Sequence, residues 1–177
     1  MSPGGWEPAA ERREMDPDFD EKQSLQRLLD FNRETFLWKI EGLNDEQARI
    51  MPVEGSLLCP AGLLMHLALV EWWWFRTNFA GQPDTTFWDE HPDDENAEFR
   101  VETPVAEIVE FYKEQVALSN EVIAGADLDD RGAREHKRWK KKPTLRWVML
   151  HMIQELARHN GHIDLIREMI DGDKLGE

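Results

Sequence analysis

Between Leu145 and Ile170 the chain repeats an apolar side chain at a helical step. Leu145, Val148, Met152, Leu156, His159, Ile163, Ile166 and Ile170 follow one another at intervals of three or four, the spacing of a single buried stripe on an α-helix. Pro143-Thr144 marks the expected start and Gly172 the stop, so one helix is predicted to run to Asp171. At 1.5 Å per residue it spans roughly 40 Å, which is long for a small domain.

Three further stretches carry the same rhythm. From Ser24, Leu25, Leu28, Leu29, Phe36, Ile40 and Leu43 recur on one face, and Asn44 with Gln47 has the form of a capping box for a short turn. A second long helix is expected from Pro60 to Gly81, with Leu63, Leu67, Val70 and Trp74 in its stripe. A third is expected from Thr103 as cap and Pro104 as first residue to about Ala124, through Val105, Ile108, Val109, Tyr112, Val116 and Val122. No stretch alternates with period two and β-branched enrichment. The expectation is an all-α four-helix bundle. The long connection between helices two and three lets helix three run parallel to helix two. Residues 1–19 read as a flexible tail and 20–177 as the domain.

Charge narrows the partners. With 21 Lys+Arg against 36 Asp+Glu, the formal charge is −15, which disfavours nucleic acid and anionic membranes. No apolar run reaches the ~18 residues of a membrane span, and the N-terminus lacks the apolar core of a secretory signal. One cysteine, Cys59, permits no internal disulfide and fits a reducing, cytoplasmic setting. It sits at a helix start but has no base beside it in sequence. The basic stretch 133–142, with Trp139 inside it, is read as a solvated loop. The acidic sets Asp16-Asp18-Asp20 and "HPDDENAE" lack the sixth-position Gly and twelfth-position Glu of a calcium loop.

Polar residues interrupt the apolar helices at a few places. His159 occupies a slot in the last helix's apolar row, with Glu155 one turn before it, His151 a turn earlier and His162 on its far flank. His66 stands among leucines on helix two. A buried carboxylate and imidazole cost several kcal/mol unless satisfied. A hydrogen-bond network satisfies them, with Glu155 paired to Arg158 or Arg76, and so does a metal ion held between His66, Glu155 and His159. Gly161 is expected to admit a neighbouring helix. Of Trp72, Trp73 and Trp74, one is expected in the core and the others at a contact surface.

"LRWVMLHMIQELARHNGHIDLIREMIDG", "LLMHLALVEWWWFRTNFAG" and "FLWKIEGLNDEQARIMP" together resemble the DinB-like superfamily, and most of all its actinobacterial mycothiol-dependent S-transferase branch, over about residues 20–172. The thiol-dependent maleylpyruvate isomerase type is similar and carries the same E-x-x-x-H. The resemblance implies His66, Glu155 and His159 as ligands of a divalent metal, zinc first, with nickel, manganese or iron also compatible. It implies a bound small thiol, mycothiol, whose thiolate attacks an electrophilic small molecule to form a thioether, and it implies a homodimer. His162, His151, Asn160 and Arg158 are expected around the ligands or the substrate. Asp164 and Glu71 are further candidates to hold a ligand's second nitrogen. The other readings are a metal-dependent hydrolase or isomerase, or a non-catalytic metal-binding stress protein.

Overall fold

A computed structural model describes residues 16–83 and 87–172. The first fifteen residues, which include most of the expected tail, and the last five lie outside the described residues.

Helix α1 runs Glu21–Ile40 and is fixed at its start by a capping box: Asp20 accepts from the Gln23 N–H while the Gln23 side chain accepts from the Asp20 N–H. It begins three residues before the expected Ser24. The turn α2, Asp45–Ala48, carries the predicted Asn44/Gln47 box. Helix α3, Pro60–Glu71, starts with Pro60 in its first position, and Cys59 Sγ accepts from Gly62 N–H. After the short α4, Phe87–Glu90, and a 3₁₀ turn, Ala97–Phe99, come α5, Val105–Ala124, and α6, Leu145–Asp171. Thr144 caps α6 and Gly172 ends it at φ 73°, a backbone region that glycine occupies without strain. No strand occurs among the described residues, only an isolated bridge between Arg131 and Thr144.

Long-range bonds give the helix directions. Arg146 near the start of α6 pairs with Glu21, and Arg167 near its end donates to the carbonyls of Lys39 and Glu41, so α1 and α6 run parallel. Lys22 donates to Ala126 O beyond α5, and Asp45 accepts from Val105 N–H at its start, so α5 opposes α1. On α3, His66 meets Glu155 whereas the later Trp74 meets Trp147, so α3 opposes α6. Helices α3 and α5 are therefore parallel, and residues 87–104 of the connection between them lead to the start of α5.

Helix two departs from the predicted form. Trp72–Phe79 is π-helical, with Ala80 N–H bonded five residues back to Phe75 O at 2.9 Å. The wider turns shift the inward register. An α-helical step from Leu67 and Val70 points Trp74 inward; instead Phe75 is fully buried and Trp72, Trp73 and Trp74 are each half-buried. The core tryptophan expected here is thus replaced by phenylalanine. Helix α5 also differs, because Pro104 takes the cap position and Thr103 makes no capping bond. The distant Asp45 side chain satisfies the first N–H of α5 instead, at 2.7 Å.

The interior joins the predicted stripes, with Leu29, Phe36, Leu63, Leu67, Ile108, Val148, Met152, Leu156 and Ile163 fully buried. Leu28, placed in the α1 stripe by its spacing, is exposed. One ion pair crosses this apolar interior. Arg33 of α1 gives Glu71 of α3 two parallel bonds of 2.7 Å, both side chains buried, and its other nitrogen reaches Asp30 and Asn120 at 2.8 Å. Such a pair is costly to break singly, since the survivor is left charged and unpaired. Arg33→Met is expected to lower the unfolding free energy by about 3–5 kcal/mol in urea titrations, and the Arg33→Met/Glu71→Leu double variant to recover most of it.

Gly161 does not serve helix approach. It is exposed, and a methyl group added there meets nothing within 4 Å. Gly161→Ala is expected to raise stability by about 1 kcal/mol, measured as a shift of the urea midpoint at constant slope.

Candidate metal centre

Glu155 is the hinge of the site. Its Oε1 lies 3.2 Å from His66 Nε2 on α3 and 3.1 Å from His159 Nε2 on α6. The three donor atoms all fall within 4.8 Å of one another. Helix geometry explains half of this, since Glu155 and His159 are one turn apart on the inward face of α6. The antiparallel packing of α3 supplies the other half. The residues singled out from sequence as a possible ligand set therefore converge on one point.

Electrostatics hold the cluster together. The bonds from His159 and then His66 keep the Glu155 carboxyl well below the usual carboxylate range, against the opposing effect of burial, and nearby Arg158 adds to the lowering. Arg158 leans on the other oxygen of Glu155 at 3.4 Å. The alternative pairing with Arg76 does not occur, because Arg76 bonds to Gln82 and Gln115. Burial pulls His66 down most strongly as a single influence, but its contacts with Glu155 and Glu98 together raise it above the ordinary imidazole value.

The far nitrogens of both imidazoles also face polar side chains. His159 Nδ1 faces His162 Nδ1 at 3.3 Å. Burial, His159 and Arg158 keep His162 below its usual value, which favours the neutral ring, whose unprotonated nitrogen accepts a hydrogen bond. His66 Nδ1 faces Glu98 Oε1 at 3.5 Å, an ion-pair separation longer than a full hydrogen bond. Glu98 is buried, its other oxygen accepts from Trp88 Nε1 at 3.3 Å, and Phe99 stacks on the His66 ring at 5.4 Å.

Glu98 was not among the residues expected here. It comes from the 3₁₀ turn in the long connection, and a glycine puts it in place. A Cβ on Gly62 would lie 2.7 Å from Phe99 Cα, so only glycine lets the turn sit directly on α3. Gly62 is one turn before His66 on the same face, which is why the close approach delivers Glu98 to that imidazole.

Other expected partners lie elsewhere. Asn160 turns to α1 and donates to Asn32. Glu71 is committed to Arg33 and Asp164 to Lys39, at 2.9 Å. His151 lies between Trp74 and Trp147, parallel to the latter ring at 5.0 Å. Cys59 is buried, and burial pushes its thiol up from the ordinary value, so it is no competing nucleophile.

Two imidazole nitrogens and a carboxylate oxygen suit a divalent cation. In a four-coordinate site with bonds of ~2.0–2.1 Å, adjacent ligand atoms stand about 3.3 Å apart, close to the 3.2 and 3.1 Å separations around Glu155. Fewer than four protein donors leaves a position for an exogenous ligand.

Comparison with known proteins agrees with this architecture. A crystal structure of a conserved protein from Enterococcus faecalis matches with a TM-score of 0.62 over 88% of this chain and 99% of that one, at 19% identity; it speaks for the fold alone. No curated protein matches. A family model described as Mycothiol-S-transferase matches residues 24–172, a span that contains the bundle, the three convergent donors and Glu98, and the chain belongs to that family.

Proposed function

We propose that this protein is a divalent-metal-dependent thiol S-transferase that joins mycothiol to electrophilic small molecules, with His66, Glu155 and His159 as the ligands and zinc as the ion. The observation that carries the reading is the approach of two Nε2 atoms from different helices to one Glu155 oxygen, at 3.2 and 3.1 Å, in a chain of the mycothiol-S-transferase family. Held by His66, Glu155 and His159, a divalent ion would supply the Lewis acidity that makes a small thiol acidic at neutral pH; in the transfer the thiol gives up its proton to solvent, the C–S bond forms, and the bond to the leaving group breaks with its electron pair going to that group.

The chain's own residues prepare that step. Glu98 and His162 fix the imidazole rings of His66 and His159 through their second nitrogens, which orients the inward Nε2 atoms and raises their basicity. His159 and His66, with a smaller contribution from Arg158, keep the Glu155 carboxylate ionised. Phe99 and the aromatic side chains around α3 exclude water from one flank, and a drier site strengthens every charge interaction within it. No helix among the described residues is long and apolar enough to cross a membrane. Leu150, Leu165 and Met169 on α6 are each more than half exposed, which supports a paired chain.

Elemental analysis of the purified protein is expected to find near-stoichiometric divalent metal and His159→Ala to lose it, with formation of a mycothiol conjugate of monobromobimane lost in parallel. Metal-loaded protein that forms no conjugate with mycothiol or any other small thiol would overturn the reading. Glu98→Gln is expected to weaken zinc binding by about 10–100-fold in a chelator competition while the helical circular dichroism is unchanged.

A further inference from the structure

The densest positive charge on this acidic chain surrounds a pocket that the triad does not use. Between residues 131 and 142 stand Arg131, Arg134, Lys137, Arg138, Lys140, Lys141 and Lys142 against the single acid Glu135. Residues 131–144 fold back on themselves: Gly132 N–H bonds to Pro143 O, His136 N–H to Lys141 O, and Lys140 N–H to His136 O. Lys140 has φ 51° and is the one non-glycine residue with positive φ among those described. A lysine gains nothing intrinsic from that conformation, and the surrounding bonds impose it. The tight reversal brings Trp139 and Lys141 into the lining of one pocket of about 260 Å³, which also takes in the rings of His136 and Trp147 and the basic residues Arg131 and Lys142.

The walls form a continuous aromatic surface. His136 lies 4.2 Å from Trp139, Trp139 lies 5.7 Å from Trp147, and Trp147 stacks parallel on His151. Trp139 nevertheless stays half exposed. Arg134 is engaged with the Trp73 ring and Gln82 O, and Arg131 with Lys142 O. The Lys141 and Lys142 ammonium groups have no partner among the described residues, although the chain has carboxylates in excess. Aromatic rings and unneutralised cations in one pocket lining make a receptor for a flat molecule bearing a negative charge. A cation is repelled there, and a neutral ring has no use for the lysines. A long polyanion is disfavoured by the −15 charge of the whole chain.

The pocket shares helix α6 with the candidate centre, Trp147 lining the one and Glu155 belonging to the other. Trp147, His151 and Glu155 succeed one another at four-residue steps on α6, so they share one side of the helix, with about 12 Å of axis between the first and the last. We propose that this pocket binds the ring and carboxylate of an acidic electrophile and holds the remainder along α6 toward Glu155. The inference deepens the transferase reading, on which it rests for the word electrophile: it names the substrate class as aromatic or conjugated carboxylic acids.

Calorimetric titration of the full chain with 1-naphthoate and its uncharged counterpart 1-naphthamide tests this without thiol or turnover. Saturable binding of 1-naphthoate at one site is expected. It should weaken about tenfold for the amide and about tenfold in Lys141→Ala/Lys142→Ala, the scale of losing one or two partly screened charge contacts. It should weaken with added salt, and Trp139→Ala should weaken both probes. In turnover, the double lysine variant should raise KM for an acidic electrophile and leave kcat unchanged. Equal affinity for acid and amide, no saturable binding, or indifference to the lysine substitutions would overturn the proposal. A protein that binds 1-naphthoate as expected but forms no conjugate speaks against the transferase reading alone.

Discussion

One carboxylate oxygen shared by two imidazoles sets the terms for this fold. Glu155 Oε1 draws together side chains from α3 and α6, and that convergence needs both helices to hold their axial register. The register is secured from outside the site. Arg33 clamps α3 to α1 through Glu71, while Arg167 and Arg146 tie the two ends of α6 to α1. Helix α1 gives no donor to the cluster, yet both donor helices are fastened to it. Three ionised or imidazole groups close together in an apolar bundle carry a desolvation cost; the contacts of Glu155 with both imidazoles offset part of it, and the same three donors could hold a metal ion.

The long connection is the second determinant. A bundle with short loops alternates up and down, whereas here α3 and α5 run parallel and a long connection, described over residues 87–104, joins them. That connection brings a carboxylate to His66 that neither helix of the pair supplies. Its position depends on the missing side chain at Gly62, where backbone approaches backbone at a distance no Cβ tolerates. Helix packing supplies the inward-facing donors, and the loop supplies the group that orients one of them.

These two determinants differ in how readable they are. The α6 stripe could be read almost whole, because a 3.6-residue period over seven turns has few competing explanations. His159 stood out within it because it broke an apolar row. Glu155 could be read from its spacing to His159, and His66 from its leucine surroundings. Glu98 could not, because a 3₁₀ turn inside an acidic loop has no period, and "HPDDENAE" offers several carboxylates with nothing to favour one. Gly62 gave no signal either, since a glycine in a first helical turn looks neutral. Gly161 drew attention by sitting mid-helix, yet it contacts nothing. The π-helical stretch escaped for a related reason: composition marks Trp72 to Trp74 as apolar but carries no trace of turn width, so the ring that enters the core was misplaced by one residue. Leu28 shows the limit of periodicity at a stripe's edge, where the neighbour decides burial.

Cys59 is kept from solvent by its place in the fold. An enzyme that brings activated sulfur and alkylating molecules together exposes its own sulfhydryl to the same attack, and this chain has a single one. Folded beneath Phe99 as the cap of α3, that group is shielded by the same turn that carries Glu98. The turn that brings Glu98 to His66 also covers the chain's one thiol, so loosening it would expose Cys59 to any electrophile in reach.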